Sequence, residues 1–273
     1  MQAFGCRLVR VPAFAADFPA DTSFRRAESQ TGVTLPLKRP IHKALYLQVR
    51  DALAERIASG QWKPGMSIAN EGDLARELGV SGGTVRKALE LMEAQRLITR
   101  RQGRGTFVRD QSSDDHAARF CRLRGSSGER FLSRASVHGI SEGTADEQES
   151  RRLRLASGEA VYRIRKVRQH RGRVFMVRDA VVPAALFPGL PGRKELAGSI
   201  IMLAHAYGFL AGSGEERISL CAAEAGIAEA LSVACGTPVI HLERVVLMLD
   251  GPPLEWSRAH CHLADSYYLA EVG

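Results

Sequence analysis

The sequence predicts an α+β protein, with an N-terminal winged helix-turn-helix domain followed by a domain built on an antiparallel sheet. Three observations carry that prediction. Residues 70–108, NEGDLARELGVSGGTVRKALELMEAQRLITRRQGRGTFV, read as two capped helices separated by a glycine turn, then a basic hairpin. Downstream, residues 161–182 and 239–263 alternate apolar and polar side chains around glycine turns, the pattern of strand hairpins. The composition, 45% hydrophobic and 25% charged over 273 residues, is that of a globular chain with one or two cores.

In chain order, residues 1–39 carry apolar patches broken by Arg7, Arg10, Asp17, Asp21, Arg25 and Arg26, which excludes a signal-peptide core. They read as a disordered extension, or as sequence upstream of the true start. Residues 40–110 form the winged domain. Leu45, Val49, Leu53 and Ile57 recur at four-residue steps, one helical stripe closed by Gly60, and Pro64-Gly65 breaks the chain. Asn70 and Ser81 are the two helix caps, Gly79 supplies the left-handed turn, and Val85, Ala88, Leu89 and Met92 make the apolar stripe of the second helix. Gly103 and Gly105 mark the turn of the wing.

Residues 111–118 are a linker without periodicity, and residues 119–270 form the second domain. Within it the sequence predicts a strand near residues 131–140, a hairpin turning at His170–Gly172, a helix ending at Gly208, a strand and helix over 216–235, and a hairpin turning at Asp250-Gly251. Leu155–Val177 lies over Leu231–Trp256 with small gaps, which suggests two related halves feeding one sheet.

The formal charge is +8, and its distribution is more informative than its size. From Lys43 to Arg109 twelve Lys and Arg face seven Asp and Glu, and from Arg96 to Arg109 five arginines meet no acid. Behind a helix-turn-helix, that local cationic surface points to double-stranded DNA. Cys6, Cys121, Cys221, Cys235 and Cys261 are scattered and odd in number, as in a cytoplasmic protein with reduced thiols. No apolar run approaches the ~18 residues of a membrane span. No Ser/His/Asp order, paired carboxylates or phosphate-binding loop stands out, so neither catalytic residues nor a cofactor is expected. His260 and His262 flank Cys261 but lack a third ligand, so no metal is expected either.

LYLQVRDALAERIASGQWKPG and the stretch to QGRGTFV closely resemble the N-terminal domain of GntR-family transcription regulators. VYRIRKVR, VVPAALFPGL, the AYGF helix end, GTPVIHLERVV and GPPLEWSRAHCHLADSYYL resemble the UTRA effector domain of the HutC subfamily, a chorismate-lyase-like fold that senses ligands. The resemblance implies a homodimeric DNA-binding regulator, a repressor by family habit, controlled by a small-molecule effector. The alternative is a chorismate-lyase-like enzyme fused to a DNA-binding head.

The expected DNA contacts are Tyr46 and Arg50 on the first helix, Ser81, Thr84, Arg86 and Lys87 on the recognition helix, and Arg100, Arg101, Gln102, Gly103, Arg104, Gly105 and Thr106 on the wing. Two departures matter: Gly72 and Gly82-Gly83 stand where the family often carries arginine, so more of the grip falls to the wing. The expected effector contacts are Arg163 and Arg165, two residues apart on one strand face, with Arg178 and Glu255. Arg178 replaces a glutamate common in the family, which reverses the local charge and favours an anionic effector.

Overall fold

The computed structural model describes residues 43–111, 120–130, 135–249 and 251–270. The expected extension, most of the linker and Asp250 of the last turn lie outside the described residues.

The winged domain is built as its pattern dictates. Helix α1 (Leu45–Ala58) buries Val49, Leu53, Ala54 and Ile57. Helix α2 (Glu71–Leu78) starts where the Asn70 side chain accepts from the Asp73 amide at 2.9 Å, and it ends at Gly79, whose φ of 64° only a glycine adopts without strain. Helix α3 (Gly82–Ala94) buries Val85, Ala88, Leu89 and Met92 against α1 and α2. Strands β2 (Ile98–Arg101) and β3 (Gly105–Val108) form the wing, and β1 (Ser67–Ile68) adds to β3 as a third strand. Leu53, Leu74, Val85, Ala88, Met92 and Leu97 are fully shut from solvent. Each of the larger ones contributes about 1.5–3 kcal/mol of transfer free energy.

The second domain is a six-stranded antiparallel sheet. Its strands are β5 (Ala135–Thr144), β6 (Ala160–His170), β7 (Arg173–Pro183), β8 (Ala211–Ala222), β9 (Pro238–Met248) and β10 (Pro253–Cys261), in the order β5-β6-β7-β10-β9-β8. The order reads symmetrically about the β7–β10 pair, so the two hairpins occupy equivalent places. Strand β4 (Leu123–Gly125) pairs with β11 (Ser266–Tyr268) in a separate ribbon.

Helices α4 (Glu147–Leu153) and α6 (Ala225–Leu231) cover one face of the sheet. Leu153 packs with Val161, Val181 and Trp256, while Ala228 and Leu231 pack with Val167, Val177 and Val239. The opposite, inner face carries helix α5 (Ile200–Ala206). With Phe187, Leu190 and Leu196, α5 packs over Tyr162, Ile164, Val182, Val246 and Leu254.

Two elements differ from expectation. Helix α4 was not anticipated; Asp146 and Glu149 form a reciprocal capping box that starts it, a signal present in the sequence. Strand β8 begins at Ala211, ahead of the strand expected within 216–235, because the sheet extends through Gly212 and Gly214.

Candidate nucleic-acid interface and effector site

The surface expected to face DNA starts at the N-terminus of α3. Ser81 accepts from the Thr84 amide at 3.2 Å, and the two hydroxyls lie 2.9 Å apart. Gly82 and Gly83 are exposed, with open space where a Cβ would stand. The helix therefore presents bare amides and the positive end of its dipole, which suits phosphate.

Arg86 and Lys87 follow, both exposed. Arg86 Nε donates to Glu71 at 2.9 Å, and the same carboxylate accepts from Arg100 Nη2 at 3.5 Å, so one residue of α2 orients both α3 and the wing. The hydrogen bond to Glu71 raises the Arg86 pKa, keeping it charged. Lys87 Nζ sits 4.2 Å from the centre of the Tyr46 ring, which positions the ammonium by cation–π attraction. Arg101 lies over Phe107, its guanidinium carbon 5.2 Å from the ring centre. Gln102, Gly103, Arg104 and Gly105 are exposed at the wing tip, with Gly103 and Gly105 at positive φ, while Thr106 is half-buried opposite Ile68.

Arg50 departs from this surface. Its side chain is only 7% exposed and its Nε donates to Asp51 at 2.7 Å. The apolar stripe of α1 is wide enough to take in its neighbour Val49 and Arg50 together, so Arg50 is spent inside the domain.

The four expected effector residues do not share one site. Successive side chains of a strand point to opposite faces. Arg163 and Arg165 lie on the helix-covered face with α4 and α6, and each is engaged there. Arg163 is bidentate to Glu149 (2.7 and 2.7 Å) and Arg165 to Asp179 (2.7 and 2.9 Å). Arg178 and Glu255 lie together on the inner face, where Arg178 donates to Glu255 and to Ser257 Oγ, the latter at 2.7 Å.

Sequence reasoning missed the rest of that inner belt. Lys166 stands opposite Arg178 in the ladder, so the period of two puts it on the same face. It is 6% exposed, and its Nζ donates to the Gly198 carbonyl at 3.1 Å, just before Ser199 caps α5. Burial pushes its ammonium down to about 8 although Glu255 lies near. Arg168 is on the same face, and burial works against its charge too. Arg244 donates to Glu216 at 2.8 Å and to the Phe120 carbonyl at 2.7 Å, and the Tyr268 hydroxyl donates to Glu216. Cys261 closes the belt, its thiol pushed up to about 12 by burial, which makes it an inert core group. The signal for Lys166 was its two-residue offset from Ile164, an inward apolar position.

His260 stacks on His241, with ring centres 4.9 Å apart, on the helix-covered face; His262 lies beyond the end of β10. Among the described residues no group of three or more potential ligands stands ready for a metal.

The model for bacterial regulatory proteins of the gntR family matches residues 45–108, and the UTRA domain model matches residues 131–267. The chain belongs to the GntR family and carries a UTRA domain. It is a DNA-binding transcription regulator. Among curated relatives, the mannosyl-D-glycerate transport/metabolism system repressor MngR of Escherichia coli is 25% identical over 218 residues, 80% of this chain and 91% of that protein. The histidine utilization repressor of Pseudomonas putida is 27% identical over 149 residues, 53% of this chain and 58% of that one. Among solved structures, YydK of Bacillus subtilis aligns with a TM-score of 0.51 at 20% identity, covering 85% of this chain and all of that one. The ligand-binding domain of a GntR-family regulator from Bordetella bronchiseptica aligns at 0.52 and 22% identity, covering 57% of this chain and 98% of that one. These two likenesses concern the fold. Among the described residues no helix is long and apolar enough to cross a membrane.

Proposed function

We propose that the protein is a cytoplasmic, homodimeric repressor whose hold on a pseudo-palindromic operator is relieved by a small anionic metabolite. The metabolite binds on the inner face of the UTRA sheet. The observation that carries the effector class is the charge of the inner belt. Lys166, Arg168, Arg178 and Arg244 gather there against Glu216 and Glu255, on a face where burial disfavours the charged form of Lys166, Arg168 and Arg178. Excess buried positive charge is costly, and an anion taking hydrogen bonds from Lys166 and Arg178 relieves it. Glu255 and Ser257 then serve as acceptor and donor for a ligand hydroxyl or amine. The MngR relative is named for a mannosyl-D-glycerate system, a sugar that carries a carboxylate, and it fits this class.

On the DNA side, the α3 amides, Ser81, Thr84, Arg86 and Lys87 enter the major groove, and Arg100, Arg101 and Arg104 hold phosphates. Two binding experiments test the reading. Fluorescence anisotropy with the protein's own promoter fragment, repeated across salt, is expected to show specific binding that weakens steeply as salt rises. A thermal-shift screen of phosphorylated and carboxylated metabolites is expected to yield a stabilising ligand that also lowers operator affinity. A protein that ignores its promoter at low salt, with and without ligands, sinks the proposal.

A further inference from the structure

Lysine is scarce in this chain: six of its 38 Lys and Arg residues are lysines. Lys43, Lys63 and Lys87 are exposed, while Lys166 is buried at 6% exposure. An arginine in its place could also hold the Gly198 carbonyl, and it would stay charged. A lysine differs in one respect, since it can lose its proton and become a nucleophile.

The surroundings of Lys166 favour that change. In the ladder it stands between Val137 of β5 and Arg178 of β7, and Arg168 follows two residues on, along the same face. Val137, its neighbour Ile164 and Leu196 belong to the inner apolar cluster. Arg178 is already engaged with Glu255 and Ser257, and the bond that Lys166 Nζ makes to Gly198 goes to a neutral carbonyl. Burial, with the charges of Arg178 and Arg168, outweighs the attraction of Glu255 and brings the Lys166 pKa to about 8. Roughly a tenth of the side chain is then neutral at pH 7, against about one in a few thousand for an exposed lysine.

We propose that Lys166 captures its ligand covalently, as an imine with the carbonyl of a small anionic aldehyde or ketone. The anionic group of that ligand lies against the neighbouring arginines of the inner belt. The lone pair of the neutral amine forms the C–N bond while the carbonyl π pair moves to oxygen. Both amine protons leave with that oxygen as water, and the C=N bond closes. Starting from the ammonium, one further proton passes to solvent, so capture removes a positive charge from a face where excess charge is costly. An imine nitrogen carries no hydrogen, so capture also ends the bond to Gly198, just ahead of the Ser199 cap of α5.

This inference rests on the effector reading of the inner face and adds the chemical class of the ligand. The full-length protein is treated with glyoxylate, pyruvate or glyceraldehyde 3-phosphate together with cyanoborohydride, which reduces an imine to a stable secondary amine, and peptide mapping locates the product. At least one of the three is expected to label Lys166 ten times faster than Lys43, Lys63 or Lys87. The carboxylated and phosphorylated probes decide which anion the arginines prefer. Lys166→Arg keeps the positive charge and is expected to melt like the wild type, while the effect of the labelling compound on operator affinity falls about tenfold. Lactate and glycerol 3-phosphate carry the same anions on alcohols and are expected to act on both proteins equally weakly. If none of the three carbonyl compounds labels Lys166 faster than the exposed lysines, the inference is wrong, and release of the operator by lactate or glycerol 3-phosphate then leaves the effector reading standing. Selective labelling of Lys166 that leaves operator affinity unchanged upholds the capture and overturns the effector reading instead.

Discussion

The Leu249 amide donates to the Leu210 carbonyl at 2.9 Å, and both side chains pack against the apolar core of the winged domain. The chain runs directly from the inner face of the sheet to this contact. Phe209 packs with the inner-face cluster, its ring 6.2 Å from that of Phe187, and the next residue enters the DNA-binding head. Helix α5 precedes the pair, and Lys166 holds the carbonyl just before its cap. A ligand that draws Lys166 away from Gly198 thus acts on the element that leads to the head. Leu210→Ala is expected to cost about 2 kcal/mol of stability. It is also expected to shrink the effect of the metabolite on operator affinity while DNA binding persists, as read by anisotropy with and without ligand.

Removing one member of the Arg178–Glu255 pair strands a buried charge. Glu255→Leu is expected to destabilise the protein by about 3–5 kcal/mol. Because Arg178 and Glu255 touch, the double variant R178M/E255L is expected to be more stable than Glu255→Leu alone. Chemical denaturation of the two variants decides it.

Gly83 sits in the first turn of α3 with open space at its Cβ position and without a positive φ. Gly83→Ala is expected to stabilise the fold by up to about 1 kcal/mol. Gly83→Arg is expected to tighten operator binding and to steepen its salt dependence by about 0.9 per phosphate gained.

Arg104 and Arg50 make opposite predictions. Arg104 is exposed at the wing tip, so Arg104→Ala is expected to leave the melting temperature unchanged and to reduce the salt slope by about one contact. Arg50 is buried beside Asp51, so Arg50→Ala is expected to lower the melting temperature, with DNA binding lost only as folding is lost. Thermal unfolding and salt-dependent anisotropy on the same two variants separate the roles.

Burial and the neighbouring His241 hold the His260 imidazole down to about 4. The unfolded chain takes up that proton near pH 6.5 and the folded one only near 4, so His260 makes stability fall as pH drops through this window. After allowance for solvent screening the loss is about 1–2 kcal/mol. His260→Phe is expected to flatten that part of the stability–pH curve, measured by denaturant unfolding between pH 4 and 7.

The winged domain was legible because its signals are local. Asn70, Gly79 and Ser81 act on amides within four residues of themselves, and the stripe Val85, Ala88, Leu89, Met92 follows from helical period alone. The same local logic reached the hairpins and the Gly172 turn, and it had the means to find α4 through Asp146 and Glu149. It did not reach Arg50, because a stripe's width depends on what packs against it.

The sequence by itself determined the two kinds of domain, the buried and exposed faces of α3 and the strand pairs that build the sheet. Each depends on short-range periodicity and capping. Only the tertiary structure decided which arginines lie on the inner face of the sheet. Alternation says that Arg163 and Arg165 share a face and that Lys166 does not, but it is silent on which face the helices cover. That choice is made by α4 and α6 packing on Trp256 and Val177 while α5 covers Tyr162 and Leu254. Contacts between residues about 80 positions apart, such as Arg178 with Glu255, set the charge of the site, and no local pattern encodes them.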